Sequence, residues 1–173
     1  MTTEPTRIGV ISDTHGFLDP QVLEAFAGVQ HIVHAGDIMD PATLEALETI
    51  APVTAVAGNM DAGKLGKLPR EVCLEVGGIR LVVAHKRKRL QKRMALGKVD
   101  CLGAGEAPDL IIFGHDHLPA VEWVDGVLHL NPGSASAPHE EDDDPSIVIV
   151  ARGAAGLEVR FIPLKRSGEA FSE

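Results

Sequence analysis

Tyrosine is missing from this 173-residue chain, tryptophan occurs once, and aromatic residues make up 3% of it. So few rings argue against a platform for stacked nucleobases, with Phe17 and Trp123 the residues left to attempt one. Cysteine is nearly as scarce. Cys73 and Cys101 have no Cys-x-x-Cys spacing, which argues against a thiolate metal site or a disulfide framework, and both read as reduced core residues. Positive charge is the rarer sign, 16 Lys and Arg against 25 Asp and Glu, for a net charge of −9. A nucleic-acid backbone would be repelled at long range. No apolar run approaches the roughly 18 residues that cross a bilayer, and the first residues lack a signal peptide's basic-then-apolar order. The reading is a cytoplasmic protein with neither membrane nor nucleic acid as partner.

What the chain does have is 45% hydrophobic residues, enough to bury one core, so residues 1–173 read as one domain with its core at about 7–164. Strands are expected at 7–12, 31–34 and 53–57, separated by helices that open at Asp19-Pro20 and Asp40-Pro41, where Asp caps and Pro starts the first turn. That β-α-β-α-β rhythm belongs to a parallel sheet. From Glu71 the rhythm changes. Strands at 71–76 and 79–84 flank Gly77-Gly78, and strands at 121–124 and 127–130 flank Asp125-Gly126, both hairpin signals. A helix over about 86–96, a buried strand at 110–113 and a last strand pair at 147–151 and 157–162 complete the set. The expected fold is α/β, a four-layer α/β/β/α sandwich of two mixed sheets flanked by helices.

Five apolar runs end in a side chain able to bind metal, four of them with a glycine beside it: Asp13-Thr-His15-Gly16, Gly36-Asp37, Gly58-Asn59-Met60-Asp61, His85, and Gly114-His115-Asp-His117. The candidates are Asp13, His15, Asp37, Asn59, His85, His115 and His117. Oxygen and imidazole donors without thiolate suit Mn, Fe, Co, Ni or Zn, and seven donors are too many for one ion but about right for two. Any one of these pairs alone would more often be a turn; the ordered set outweighs that reading.

In order and spacing these motifs, with Asn131-Pro-Gly-Ser134, resemble the calcineurin-like metallophosphoesterases. The match is to their small bacterial and archaeal phosphodiesterase subgroup, related in fold to the phosphoesterase-like subunit of retromer, and it runs from about Arg7 to Leu164. The resemblance implies two divalent ions, manganese first. Asp13, His15, Asp37 and His117 would hold one; Asp37, Asn59, His85 and His115 would hold the other, with Asp37 bridging. It implies hydrolysis of phosphodiesters by a metal-bridging hydroxide, with Asp37, Asn59 and His85 at the catalytic centre. Such a site keeps about one positive charge, matching a diester's single negative charge. A protein-docking scaffold of the same fold, with weak or no catalysis, is the alternative.

Two departures from the family stand out. Met60 replaces the histidine that donates a proton in the larger phosphatases, so a preference for good leaving groups is expected. After His85 the chain continues Lys86-Arg87 where the subgroup has Gly-His, which makes Arg87 a candidate phosphate contact beside Asn59. The basic run 86–93 otherwise reads as a solvated helix face with Leu90 and Met94 inward, and the acidic run 140–144 as a solvated loop. His34 is either a strand-end histidine or a brace for a ligand. A small phosphate ester is the expected partner, and a homodimer or homotetramer is left open.

Overall fold

The computed structural model describes residues 5–99, 106–140 and 143–166. Cys101, part of the acidic run at Glu141 and Asp142, and the polar tail beyond Arg166 lie outside the described residues. The elements are β1 (Arg7–Ile11), α1 (Pro20–Ala25), β2 (His31–His34), α2 (Pro41–Glu48), β3 (Val53–Ala55), β4 (Glu71–Val76), β5 (Ile79–Ala84), α3 (Arg87–Ala95), β6 (Leu110–Ile112), β7 (Ala120–Val124), β8 (Val127–Asn131), β9 (Ser146–Gly153) and β10 (Gly156–Pro163). They form two five-stranded sheets, ordered β10-β9-β1-β2-β3 and β4-β5-β6-β8-β7. Both are mixed. β1, β2 and β3 run parallel while β9 and β10 join antiparallel, and a parallel β5-β6-β8 core carries antiparallel β4 and β7 at its edges.

Alternation along the strands explains the layers. Ile8, Val10, Val33 and Val148 point into a core shared with Leu81, Val83, Ile112 and Leu130 of the second sheet. Ile11 and Ile32 point the other way, onto Val22, Phe26 and Leu47 of the α1–α2 face. On the second sheet Val82, Ala84 and Ile111 face outward and are covered by Leu90 and Met94. Helices, sheet, sheet and helix therefore make the four-layer α/β/β/α sandwich. Asp19 and Asp40 each accept an amide proton from the first turn of the following helix. Both hairpin turns have positive φ at their two central residues, as a two-residue I′ turn requires.

Three boundaries are shorter than the sequence suggested: β1 stops at Ile11, β3 at Ala55 and β6 at Ile112. In each case the chain leaves the ladder early to turn toward the same end of the molecule. Cys73 corrects a second expectation, because it is disulfide-bonded rather than reduced. Scarcity and spacing in sequence do not report which cysteines a fold brings together. No helix among the described residues is long and apolar enough to cross a membrane.

Candidate metal centre

Every candidate ligand sits just past the carboxyl end of a strand, in the crevice where open α/β sheets keep their sites. β1 delivers Asp13 and His15, β2 delivers Asp37, β5 delivers His85, and β6 delivers His115 and His117. The backbone there is unusual. Asp13 (φ 54°), His15 (47°), Asp37 (55°), His115 (76°) and His117 (58°) all adopt the left-handed region, which costs a non-glycine residue on the order of 1 kcal/mol. Loop-to-loop bonds impose it: the amides of Asp13 and His15 each donate 3.0 Å to the carbonyls of Gly36 and Asp37, and Gly114 donates 3.0 Å to His85.

The side chains converge as two groups that abut. Asp13, His15 and His117 have donor atoms within 4.8 Å of one another, as do Asp37, His85 and His115. In the first group Nε2 of His15 and Nε2 of His117 are 3.0 Å apart, and Asp13 Oδ1 lies 3.3 Å from His117. In the second, His85 Nε2 lies 3.2 Å from Asp37 Oδ2 and also 3.9 Å from Asp13 Oδ1, which links the groups.

Hydrogen bonds show which atoms are left for a cation. His85 Nδ1 is 2.7 Å from the Ala35 carbonyl, so it carries the proton and turns a bare Nε2 inward. Asp13 Oδ2 accepts from Ser12 Oγ and from the His115 amide, and Asp37 Oδ1 accepts from the Met60 amide. Asp13 Oδ1 and His85 Nε2 remain buried with no aligned partner. Orphaned atoms of this kind are rare in folded proteins, and here both are good ligands facing a shared space. Two glycines keep that space open: a Cβ on Gly58 would collide with Asp37, and one on Gly114 with Ser12 and Asp13.

Electrostatics favours charged carboxylates. Burial alone would raise the Asp13 carboxyl, but His117, Ser12, His85 and the His115 amide more than offset it and hold it below the ordinary value. Asp37 behaves alike, with burial outweighed by His85 and the Met60 amide. Burial would lower His85, yet Asp37 and Asp13 pull it above the ordinary histidine value, and Asp13 does the same for His117. Both carboxylates are thus held in the anionic form that binds a metal ion.

Three residues brace this arrangement. Asp61 is buried and accepts three amide protons at 2.8 Å, from Ile38 and Met39 on one oxygen and Gly58 on the other, tying the loop after β2 to the loop after β3. Sequence reasoning gave it no role, although it closes the Gly-Asn-x-Asp motif. Ser134 donates 2.7 Å to the Asp13 carbonyl, which gives the Asn131–Ser134 turn its place under the site. His34 is fully buried. It accepts from the Gly36 amide at Nδ1 and lies 3.1 Å from Thr14 Oγ1 at Nε2, so it braces the ligand loops.

Asn59 and Arg87 stand apart from the two groups. Asn59 is exposed and lines a cavity of about 280 Å³ with Gly58, Arg70, His85, Lys86 and Arg89. Arg87 borders a second cleft beside His115, but its guanidinium pairs with Glu122 and lies 5.1 Å over the Phe113 ring. One guanidinium nitrogen is thus engaged by a carboxylate, while Arg87 Nε is buried without a hydrogen-bond partner. The basic run around it is the solvated face foreseen, with Leu90 1% exposed beneath it.

Carboxylate and imidazole donors, two of them orphaned and glycine-cleared, fit divalent metal ions well. Comparison with known proteins places the chain in a family. A probable metallophosphoesterase of Methanothermobacter thermautotrophicus is 34% identical over 160 residues, covering 90% of this chain and 91% of that protein. Phosphodiesterase YfcE of Escherichia coli K12 is 31% identical over 145 residues, 73% of this chain and 78% of that one. Among solved structures, vacuolar protein sorting 29 from Cryptosporidium parvum superposes with a TM-score of 0.69 at 18% identity, covering 94% and 99% of the two chains. It shares the fold, as the resemblance to the retromer subunit implied. Since the model of the calcineurin-like phosphoesterase superfamily domain matches residues 6–152, and the ligand loops lie within that span, the chain belongs to that superfamily.

Proposed function

We propose that this protein is a metal-dependent phosphodiesterase holding two divalent ions, with manganese first among Mn, Fe, Co, Ni and Zn. The observation that carries the reading is the pair of orphaned, buried ligand atoms, Asp13 Oδ1 and His85 Nε2, facing one space between two donor groups. Asp13, His15 and His117 would hold one ion and Asp37, His85 and His115 the other, with Asp37 shared and Asn59 completing the second set by resemblance to the family. Such ions neutralise phosphoryl charge and acidify water for attack on phosphorus.

The chain's own groups set the rest. His85 is fixed by the Ala35 carbonyl in the tautomer that presents Nε2, and Asp37 is kept ionised and oriented by the Met60 amide. As water's oxygen bonds to phosphorus and gives up a proton to solvent, the ester P–O bond breaks and the departing alkoxide takes a proton from solvent. The side chain at position 60 is an exposed methionine, which has none to give. The relative named a phosphodiesterase supports a diester, as does the residual charge near +1.

The test is hydrolysis of bis(p-nitrophenyl) phosphate by metal-free protein supplied with each of the five metals in turn. Activity should appear with at least one. Asp37→Asn should reduce it by at least about a hundredfold, beyond what losing an outer-shell partner typically costs. Absence of turnover with every metal would return the docking scaffold as the better reading.

A further inference from the structure

The cavity beside His85 has a composition that hydrolysis of a simple diester does not require. Three cations from three parts of the chain line it: Arg70 ahead of β4, Lys86 after β5, and Arg89 on α3. No carboxylate lines it. Among the described residues none of the three has a carboxylate within 4.0 Å, in a chain with 25 acidic residues. Neighbouring arginines behave differently. Arg87 pairs with Glu122, Arg93 with Glu71, and Arg80 with Glu106 and Asp109. Lys88 and Lys92 of α3 are unpaired as well, so what sets Arg70, Lys86 and Arg89 apart is their convergence on one cavity that no acid lines.

The cavity is also tied to the candidate centre. His85 belongs both to its wall and to the second ligand group, and Gly58 approaches Asp37 so closely that a side chain there would collide with it. The Ala57 amide donates 2.7 Å to the Pro69 carbonyl, which pins the backbone next to Arg70 against the Asn59 loop.

We infer that this cavity is a subsite for a second phosphate of the substrate, one that is not attacked, so that the preferred substrates are phosphodiesters carrying an additional terminal phosphate. This rests on the phosphodiesterase reading. Two guanidinium forks and an ammonium match a dianionic phosphate better than a singly charged carboxylate. About 280 Å³ with neither phenylalanine nor tryptophan in the wall suits a compact, hydrated anion and offers a nucleobase nothing to stack on.

The experiment compares thymidine 5′-(p-nitrophenyl phosphate) with the same ester bearing a 3′-phosphate, so that leaving group and scissile diester are identical. The 3′-phosphate should raise kcat/KM by about tenfold or more, chiefly through KM. In Arg70→Ala/Arg89→Ala the ratio between the two substrates should fall to about one, whereas Arg160→Ala/Lys165→Ala, an equal loss of two charges away from the cavity, should leave it. A metal-free readout accompanies this: in EDTA, thymidine 3′,5′-bisphosphate should bind wild type more tightly than the 5′-monophosphate by titration calorimetry, and the double variant should lose the difference. Equal kcat/KM for the two esters, with bis(p-nitrophenyl) phosphate still hydrolysed, overturns the subsite alone. No hydrolysis of any ester with any metal overturns the phosphodiesterase reading, and equal binding of the two thymidine phosphates then overturns the subsite as well.

Discussion

At the scale of single residues, two buried histidines separate a ligand from a brace. His85 keeps one ring nitrogen bare, whereas both nitrogens of His34 are used, accepting from Gly36 and reaching Thr14. The sequence left His34 undecided between a strand-end histidine and a brace for a ligand, because a histidine near Asp37 looks alike in both. Burial lowers the His34 imidazole from 6.5 to about 4, ahead of the opposing pull of Asp13 and Asp61. Between those values the unfolded chain takes up a proton that the folded one refuses. Stability therefore falls as pH drops from 6.5 toward 4, by up to about 3 kcal/mol from this residue, and the loss levels off below. His34→Gln removes the titration and keeps a donor for Thr14. Urea unfolding in EDTA should give a variant less stable at pH 7, but with a flatter curve between pH 6.5 and 4. Parallel curves would show that His34 does not stay neutral in the folded protein.

At the scale of elements, the hairpin turns were legible to the residue at Gly77-Gly78 and Asp125-Gly126, and the strands follow from them, with β7 and β8 each one residue longer at the outer end than expected. Helix starts were equally plain at Asp19-Pro20 and Asp40-Pro41. The early ends of β1, β3 and β6 were not, since Ser12, Val56 and Phe113 suit a strand by type and leave it only because their neighbours must carry ligands. The left-handed backbone of the ligand residues was hidden for a related reason: Asp and His reveal no φ by composition, and loop-to-loop bonds impose it. Asp61 was missed because its function is to accept amides from loops that are distant in sequence. Asp61→Ala leaves the Ile38, Met39 and Gly58 amides without their acceptor, a cost of about 3 kcal/mol or more. Thermal melts in EDTA should show a fall on the order of 10 °C. Asp61→Asn, which can keep the oxygen serving Ile38 and Met39, should fall between variant and wild type. An unchanged melting temperature in the alanine variant would mean these loops are held by other contacts.

At the scale of the whole molecule, each donor group draws on both sheets. Asp13 and His15 follow β1 of the first sheet while His117 follows β6 of the second; Asp37 follows β2, and His85 and His115 follow β5 and β6. An ion in either group would therefore fasten one sheet to the other across the end of the shared core, joining segments separated by some 100 residues of chain in the case of His15 and His117. Such a fastening cannot survive in the unfolded state, where the donors are scattered, so metal binding should act as folding energy. At a free concentration of about a hundred times the dissociation constant, one ion adds about 2.7 kcal/mol. For a domain of this size that is a rise of roughly 5–10 °C in Tm, and a second ion adds to it. The Tm of metal-free protein should climb with added manganese and return on chelation. Asp13→Asn should retain only the part owed to the Asp37, His85 and His115 group, because a neutral amide is a poorer ligand than the carboxylate it replaces. Full metal-induced stabilisation in both Asp13→Asn and Asp37→Asn would place the ions elsewhere and dissolve the link between the two sheets and the chemistry assigned to their common edge.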